Sequence, residues 1–192
     1  MIFTLDLRAF TDSIDDLTLE QLSRENPELR FETNQDGKLI VMPPTGSQSG
    51  KYNGDLLIQV GIWNRQHKLG VVFDSSTGFR LSNGALRSPD VSWIAIERWN
   101  SLSPKQKRGF APIDPDFVIE LLSPTDQLTE TQQKMREYID CGIKLGWLII
   151  PGVKQVEIYR LGQDKEVVNH PDNLTGEEIL PGLIINLSEI FE

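Results

Sequence analysis

Only one cysteine, Cys141, occurs in the 192 residues. That excludes an internal disulfide and a cysteine-rich zinc module, and a lone thiol suits a reducing cytosol, so a cytoplasmic location is expected. Histidine is nearly as scarce. His67 and His170 cannot make a three-histidine zinc site, and neither stands at a metal-ligand spacing. Long apolar runs are missing: no stretch approaches the roughly 20 residues that a membrane helix needs. The opening MIFTLDLRAFTDSIDD lacks the basic start and apolar run of a signal peptide. No membrane association is expected. Basic residues are outnumbered, 19 Lys and Arg against 28 Asp and Glu, for a formal charge of −9. Such a balance argues against a protein that coats nucleic acid non-specifically, because phosphate contacts need clustered cations.

What is present suffices for a folded domain. With 39% hydrophobic and 24% charged residues the chain can build a core. Its length suits one domain, residues 1–192, without repeat, linker or low-complexity segment. Thr18 to Leu22 reads as a helix start, Thr18 capping and Gln21 reaching back, with Pro27 as its end. Leu29 to Thr33 and Lys38 to Met42 flank Asn34-Gln35-Asp36-Gly37, a hairpin signal. A helix is predicted from about Lys51 to His67, with Leu56, Val60 and Trp63 on one face. Strands are predicted at 71–74, 77–81, 91–96 and 117–122, then a helix from 127 to 141 that Gly142 closes. Strands at 147–150 and 155–160 follow, and the tail reads as a strand with a short terminal helix. The excursion 97–116 carries Lys105, Lys107 and Arg108, and its Trp99 reads as a surface contact. This is a mixed α/β pattern.

Two familiar motifs are not met. Gly46-Ser47-Gln48-Ser49-Gly50-Lys51 lies between a strand and a helix, as a phosphate-binding loop does. A P-loop needs four residues between its glycines and Ser or Thr after the lysine; here three intervene and Tyr52 follows. No nucleotide cofactor is expected. There is no Gly-x-Ser-x-Gly elbow, and Cys141, beside Gly142 at a helix end, reads as a small packed residue.

Two carboxylates break their local pattern. Asp90 follows Pro89 at the mouth of the strand Val91-Ser92-Trp93-Ile94. Glu120 lies inside Phe117-Val118-Ile119-Glu120-Leu121-Leu122 and shares a face with Val118 and Leu122. An ionised carboxylate among apolar neighbours needs a compensating cation, either a basic side chain or a metal. Two neighbouring strands that each deliver one acid form an oxygen pocket for Mg²⁺ or Mn²⁺. Such an ion activates water and neutralises phosphate charge, both of which phosphodiester hydrolysis requires.

Arg87-Ser88-Pro89-Asp90, thirty residues ahead of Glu120 in Phe117 to Pro124, resembles the Pro-Asp…(Asp/Glu)-x-Lys nuclease signature. More narrowly, the chain resembles the Uma-two family of restriction-endonuclease-like proteins. The similarity includes Asp36-Gly37, the Pro43-Pro44-Thr45-Gly46 turn, Phe73 to Phe79, and the helix with Lys134, Tyr138 and Gly142 that leads into Gly146 to Ile149. It implies a restriction-endonuclease-like core, a central mixed sheet flanked by helices behind an N-terminal helix and hairpin, with Asp90 and Glu120 as metal ligands. The signature lysine position holds Leu122 instead. The next candidate is Lys134, which shares a helix side with Glu130 and Tyr138 while Leu128, Met135 and Ile139 face the core. Glu32 is a possible third acid, Arg87 a possible phosphate contact, and Gln132 or Gln133 could orient water or phosphate.

The leading expectation is a Mg²⁺-dependent endonuclease acting on DNA, with Lys105, Lys107 and Arg108 as local contacts and a homodimer as a plausible assembly. Two alternatives remain: a catalytically impaired nuclease-fold module that binds nucleic acid or a protein, motivated by Leu122, and a small-molecule hydrolase on the same fold.

Overall fold

The computed structural model describes residues 3–7 and 14–191. The opening segment MIFTLDLRAFTDSIDD, expected to be no leader, falls partly on residues 1–2 and 8–13, outside the described residues. Strand β1 (Phe3–Leu5) precedes helix α1 (Asp16–Glu25), the hairpin β2 (Arg30–Thr33) and β3 (Leu39–Met42), and the long helix α2 (Ser47–His67). Strands β4 (Gly70–Asp74), β5 (Phe79–Arg80), β6 (Leu86–Arg87) and β7 (Val91–Ala95) lead to the short helix α3 (Ile96–Ser101). After the excursion come β8 (Phe117–Leu121), helix α4 (Leu128–Asp140), β9 (Leu145–Ile150), β10 (Gln155–Arg160), β11 (Glu166–Asn169), β12 (Asn173–Thr175) and β13 (Ile184–Asn186).

The near-continuous apolar composition of β8 and β9 puts them at the centre. All their residues are buried, as befits strands covered on both faces. They pair in parallel, joined by α4, within a six-stranded sheet of order β11-β10-β9-β8-β7-β4 whose other pairings are antiparallel. Helix α2 lays Tyr52, Leu56, Val60 and Trp63 against Val91, Trp93, Phe117, Ile119 and Leu121 on one face. Helix α4 covers the opposite face, packing Met135 and Tyr138 on Val118 and Leu148. A second, five-stranded sheet of order β1-β3-β2-β6-β5 carries the hairpin; its strands β2 and β6 supply Glu32 and Arg87 beside α4. Among the described residues no helix is long and apolar enough to cross a membrane.

Several local details differ from the sequence expectations. Helix α1 is capped by Asp15, whose side chain accepts the Thr18 N–H at 2.8 Å, so Thr18 sits inside the first turn. Helix α2 starts at Ser47 rather than 51, because Gly50 N–H reaches Gly46 O at 2.9 Å and winds the small-residue turn into the helix. Leu128 is 37% exposed; the first turn of α4 lines a cleft instead of covering the sheet. The excursion opens with α3, and Trp99 is half-buried on Phe73, ring centroids 5.0 Å apart, with the Lys107 ammonium 5.1 Å from its ring. After β13 the chain closes in a single turn, Ile190 and Phe191 N–H both donating to Leu187 O, so no terminal helix forms among the described residues.

Candidate active site

The two suspect carboxylates meet because of sheet register. Val91 pairs with Ile119 across the antiparallel β7–β8 ladder, which places Asp90 across from Glu120. Asp90 is fixed from both sides. Its Oδ2 accepts the Leu121 N–H at 2.8 Å, and its Oδ1 accepts from Asn53 Nδ2 of α2 at 2.7 Å. Glu120 points to the α4 face. There its Oε1 accepts the Tyr138 hydroxyl at 2.7 Å and lies 2.9 Å from the Lys134 ammonium. Leu122, at the signature lysine position, is half-buried against the apolar α4-side cluster. The lysine that meets Glu120 therefore comes from the following helix.

A wall of ion pairs holds that lysine. Glu32 Oε1 accepts from Lys134 Nζ at 2.9 Å and from the Ser88 N–H at 2.9 Å. Its Oε2 accepts from Arg87 at 3.0 Å, and Arg87 Nε donates to Glu137 at 2.6 Å. Glu32 is 2% exposed and Arg87 7%, so these charges interact with little solvent screening. Glu32, Arg87 and Lys134 thus stand together with Asp90 and Glu120. Gln132 does not: its amide donates to Glu157 of β10 at 2.7 Å, while Gln133 lines the cleft. Lys105, Lys107 and Arg108 do not line it either; the cations that do are Arg30, Lys38, Arg87, Lys134 and Arg136. Asn53, Glu137 and the Tyr138 hydroxyl are participants that sequence reasoning left without a role. Tyr138 alone had a signal, its helix side shared with Lys134.

Electrostatics sort the acids. Burial pushes the Glu120 carboxyl up to about 7; Asp90 and Glu32 push the same way, and the Lys134 ammonium only partly opposes them. Burial likewise raises Asp90, against the Leu121 N–H, Lys134 and Asn53. For Glu32 burial is outweighed by Lys134, Arg87 and the Ser88 N–H, and it is held below the usual carboxylate range. Burial alone would lower Lys134, but Glu120 and Glu32 hold its proton more tightly than in an ordinary lysine.

The floor of the cleft therefore sets four carboxylates, Glu32, Asp90, Glu120 and Glu137, against two cations, Arg87 and Lys134. The uncompensated charge gathers on Asp90 and Glu120, the two acids whose protonation is favoured. A hard divalent cation fits that donor pair in charge and in ligand type. No group of three or more His, Cys, Asp or Glu side chains is arranged for a metal among the described residues. Mg²⁺ commonly takes only one or two carboxylates and completes its shell with water and substrate phosphate. The cleft measures about 1120 Å³ and runs from the β2–β3 hairpin past the start of α2 to α4.

A central mixed sheet flanked by α2 and α4, with an acid at each of two adjacent strands, defines a restriction-endonuclease-like core. The model of the Uma2 family, described as "Putative restriction endonuclease", matches residues 16–188, and the chain belongs to that family. Among solved structures it is similar to a "putative nuclease belonging to DUF820" from Anabaena variabilis ATCC 29413. That match has a TM-score of 0.70 and 22% sequence identity, over 84% of this chain and 89% of the other. Among curated proteins no sequence matches this chain.

Proposed function

We propose that this protein is a divalent-metal-dependent endonuclease hydrolysing DNA phosphodiester bonds, with Asp90 and Glu120 as ligands of Mg²⁺ or Mn²⁺ and Lys134 as the residue that stabilises charge on the scissile phosphate. Bound there, such an ion would supply Lewis-acid activation of water and neutralise phosphate charge. The remaining work belongs to side chains. Asn53 and the Leu121 N–H orient Asp90, leaving lone pairs of its oxygens for the cleft. Tyr138 orients Glu120 from behind. Lys134 keeps its proton, so it serves as a fixed donor to a phosphate oxygen, and the raised affinity for that proton disfavours a general-base role. Glu32, itself held by Arg87 and the Ser88 N–H, keeps the Lys134 ammonium at the cleft.

The observation that carries this reading is the 2.9 Å approach of Lys134 to Glu120. It answers the motive for an impaired module, since a lysine is present at the acidic pair although Leu122 is not one. Cleavage of both strands of a duplex favours two such sites, which a homodimer on the DNA would supply. Mg²⁺ or Mn²⁺ added to purified protein should raise Tm by binding the folded state alone. The shift should vanish in Asp90→Asn, and supercoiled plasmid should be nicked or linearised only with the metal. A protein that neither shifts nor cleaves under any divalent metal would be the non-catalytic module instead. Cleavage of nucleotides but not of plasmid would identify the small-molecule hydrolase.

A further inference from the structure

We infer that Arg30 is a phosphate-binding residue of the cleft, holding the substrate strand from the Asp90 side as Lys134 does from the Glu120 side; the inference rests on the nuclease reading and adds a residue to its site. The hairpin alternates. Arg30, Glu32, Ile40 and Met42 line the cleft, while Phe31, Leu39 and Val41 pack into a separate core behind it. Arg30 and Glu32 therefore share one face of β2, about 7 Å apart along the strand. Sheet register places Arg30 in the other direction. Asp74 pairs with Val91 at the end of β4, and Val91 pairs with Ile119. One step further, Ser75, Asp90 and Glu120 form a row, each about 5 Å from the next as neighbouring strands are. Ser75 O is a fixed point, because Asp74 Oδ1 accepts the Ser76 N–H at 3.1 Å and the Ser76 hydroxyl at 2.7 Å. Arg30 Nη1 donates to Ser75 O at 3.1 Å, and Lys134 lies 2.9 Å from Glu120. A cation thus stands at each end of the row, with the acid pair between them.

Arg30 differs from the other cations beside the acids in that its charge is free. Arg87 is neutralised between Glu32 and Glu137, and Lys134 between Glu32 and Glu120. Arg30 makes no salt bridge among the described residues. Its partners are the Ser75 carbonyl and, at 3.5 Å, the Thr45 hydroxyl. A guanidinium carries five N–H donors in a rigid fork. Two neutral acceptors leave it donors and a full charge for a phosphate, whose geometry the fork matches. The field at the acids agrees with this placement: burial raises the Asp90 carboxyl, and the charges of Lys134 and Arg30 both work against it. A strut that only pinned the turn after β4 to the second sheet would use the carbonyl contact and have no use for the charge.

The test separates contact from charge, by titrating a labelled DNA duplex in Ca²⁺ with wild type, Arg30→Gln and Arg30→Lys over a range of salt. Arg30→Gln keeps an amide donor for Ser75 O but carries no charge. It should bind about tenfold more weakly, the loss of one charge-assisted contact. Its slope of log K against log salt should become shallower by about 0.9. Arg30→Lys keeps the charge without the fork, so it should restore the slope and recover only part of the affinity. Mg²⁺ should still raise the Tm of Arg30→Gln, since Asp90 and Glu120 are intact. Wild-type affinity and slope in a folded Arg30→Gln would make Arg30 a strut and overturn the contact, with the nuclease reading untouched. A slope that Arg30→Lys fails to restore would overturn it equally. Should Arg30→Gln fail to fold, Arg30→Lys decides: weaker binding at the wild-type slope supports the contact, and wild-type affinity overturns it. If wild type binds no duplex, the nuclease reading itself fails, and the role of Arg30 with it.

Discussion

Glu120 combines a large electrostatic penalty with a central place in the cleft. Its folded carboxyl titrates near 7 against an ordinary 4.5, so the native state binds this proton more tightly than the unfolded chain. The sign follows by linkage. Its contribution to stability is greatest below the ordinary carboxylate range and declines as pH rises from about 4.5 to about 7. Glu120→Gln, which cannot ionise, should lack that decline. Melting curves of the metal-free proteins should converge at the acid end of this window and separate at its alkaline end, with the variant the more stable. Parallel curves would contradict the charge account. Glu32 behaves oppositely. Its carboxylate is the paired one, and Glu32→Ala would leave buried Arg87 and Lys134 short of a partner, a loss of about 3–5 kcal/mol in urea unfolding. A loss below about 1 kcal/mol would show that solvent screens the wall. Asp90 and Glu120 were legible because each is an acid set into an apolar strand pattern. Glu137 was not, since an acid on an amphipathic helix looks solvated until Arg87, fifty residues away, arrives beside it. Asn53 gave no signal at all, because its partner lies across two elements.

At the scale of elements, the site depends on how closely α2, β4 and β7 pack. Gly70 at the start of β4 lies under Trp93; an added Cβ would sit 2.3 Å from Ile94 O and 2.3 Å from the Trp93 ring. Gly70→Ala should therefore destabilise by about 1–3 kcal/mol through overpacking, as read by chemical unfolding. A neutral result would mean that the α2–β4 corner is loose. The helices and central strands were legible from periodicity because burial sets their pattern: Leu56, Val60 and Trp63 do face the sheet. Short strands such as β1, β6 and β12 were harder, since two or three residues carry no period and their pairing is decided by distant partners. Lys134 was legible through the family resemblance, as a lysine on the helix that follows Glu120. Its ion pair with Glu32, 102 residues apart in the chain, required the second sheet.

For the whole molecule, a charge of −9 sets how DNA would be met. The acids crowd the cleft floor, and the cations lining the cleft include Arg30, Lys38 and Arg136. Affinity should accordingly be weak without divalent metal, stronger with it, and should fall steeply with salt; anisotropy titrations with and without Ca²⁺ read this directly. Equal affinity in EDTA and in metal would separate DNA binding from the acidic pair. The most direct measurement of the central claim is single-turnover cleavage of plasmid in Mg²⁺ by wild type, Asp90→Asn, Glu120→Gln and Lys134→Met. The expected result is metal-dependent cleavage by wild type and a loss of about 100-fold or more in each variant, with folding retained. Cleavage by Lys134→Met at the wild-type rate would contradict the assignment of a helix lysine to the task that the signature gives to residue 122.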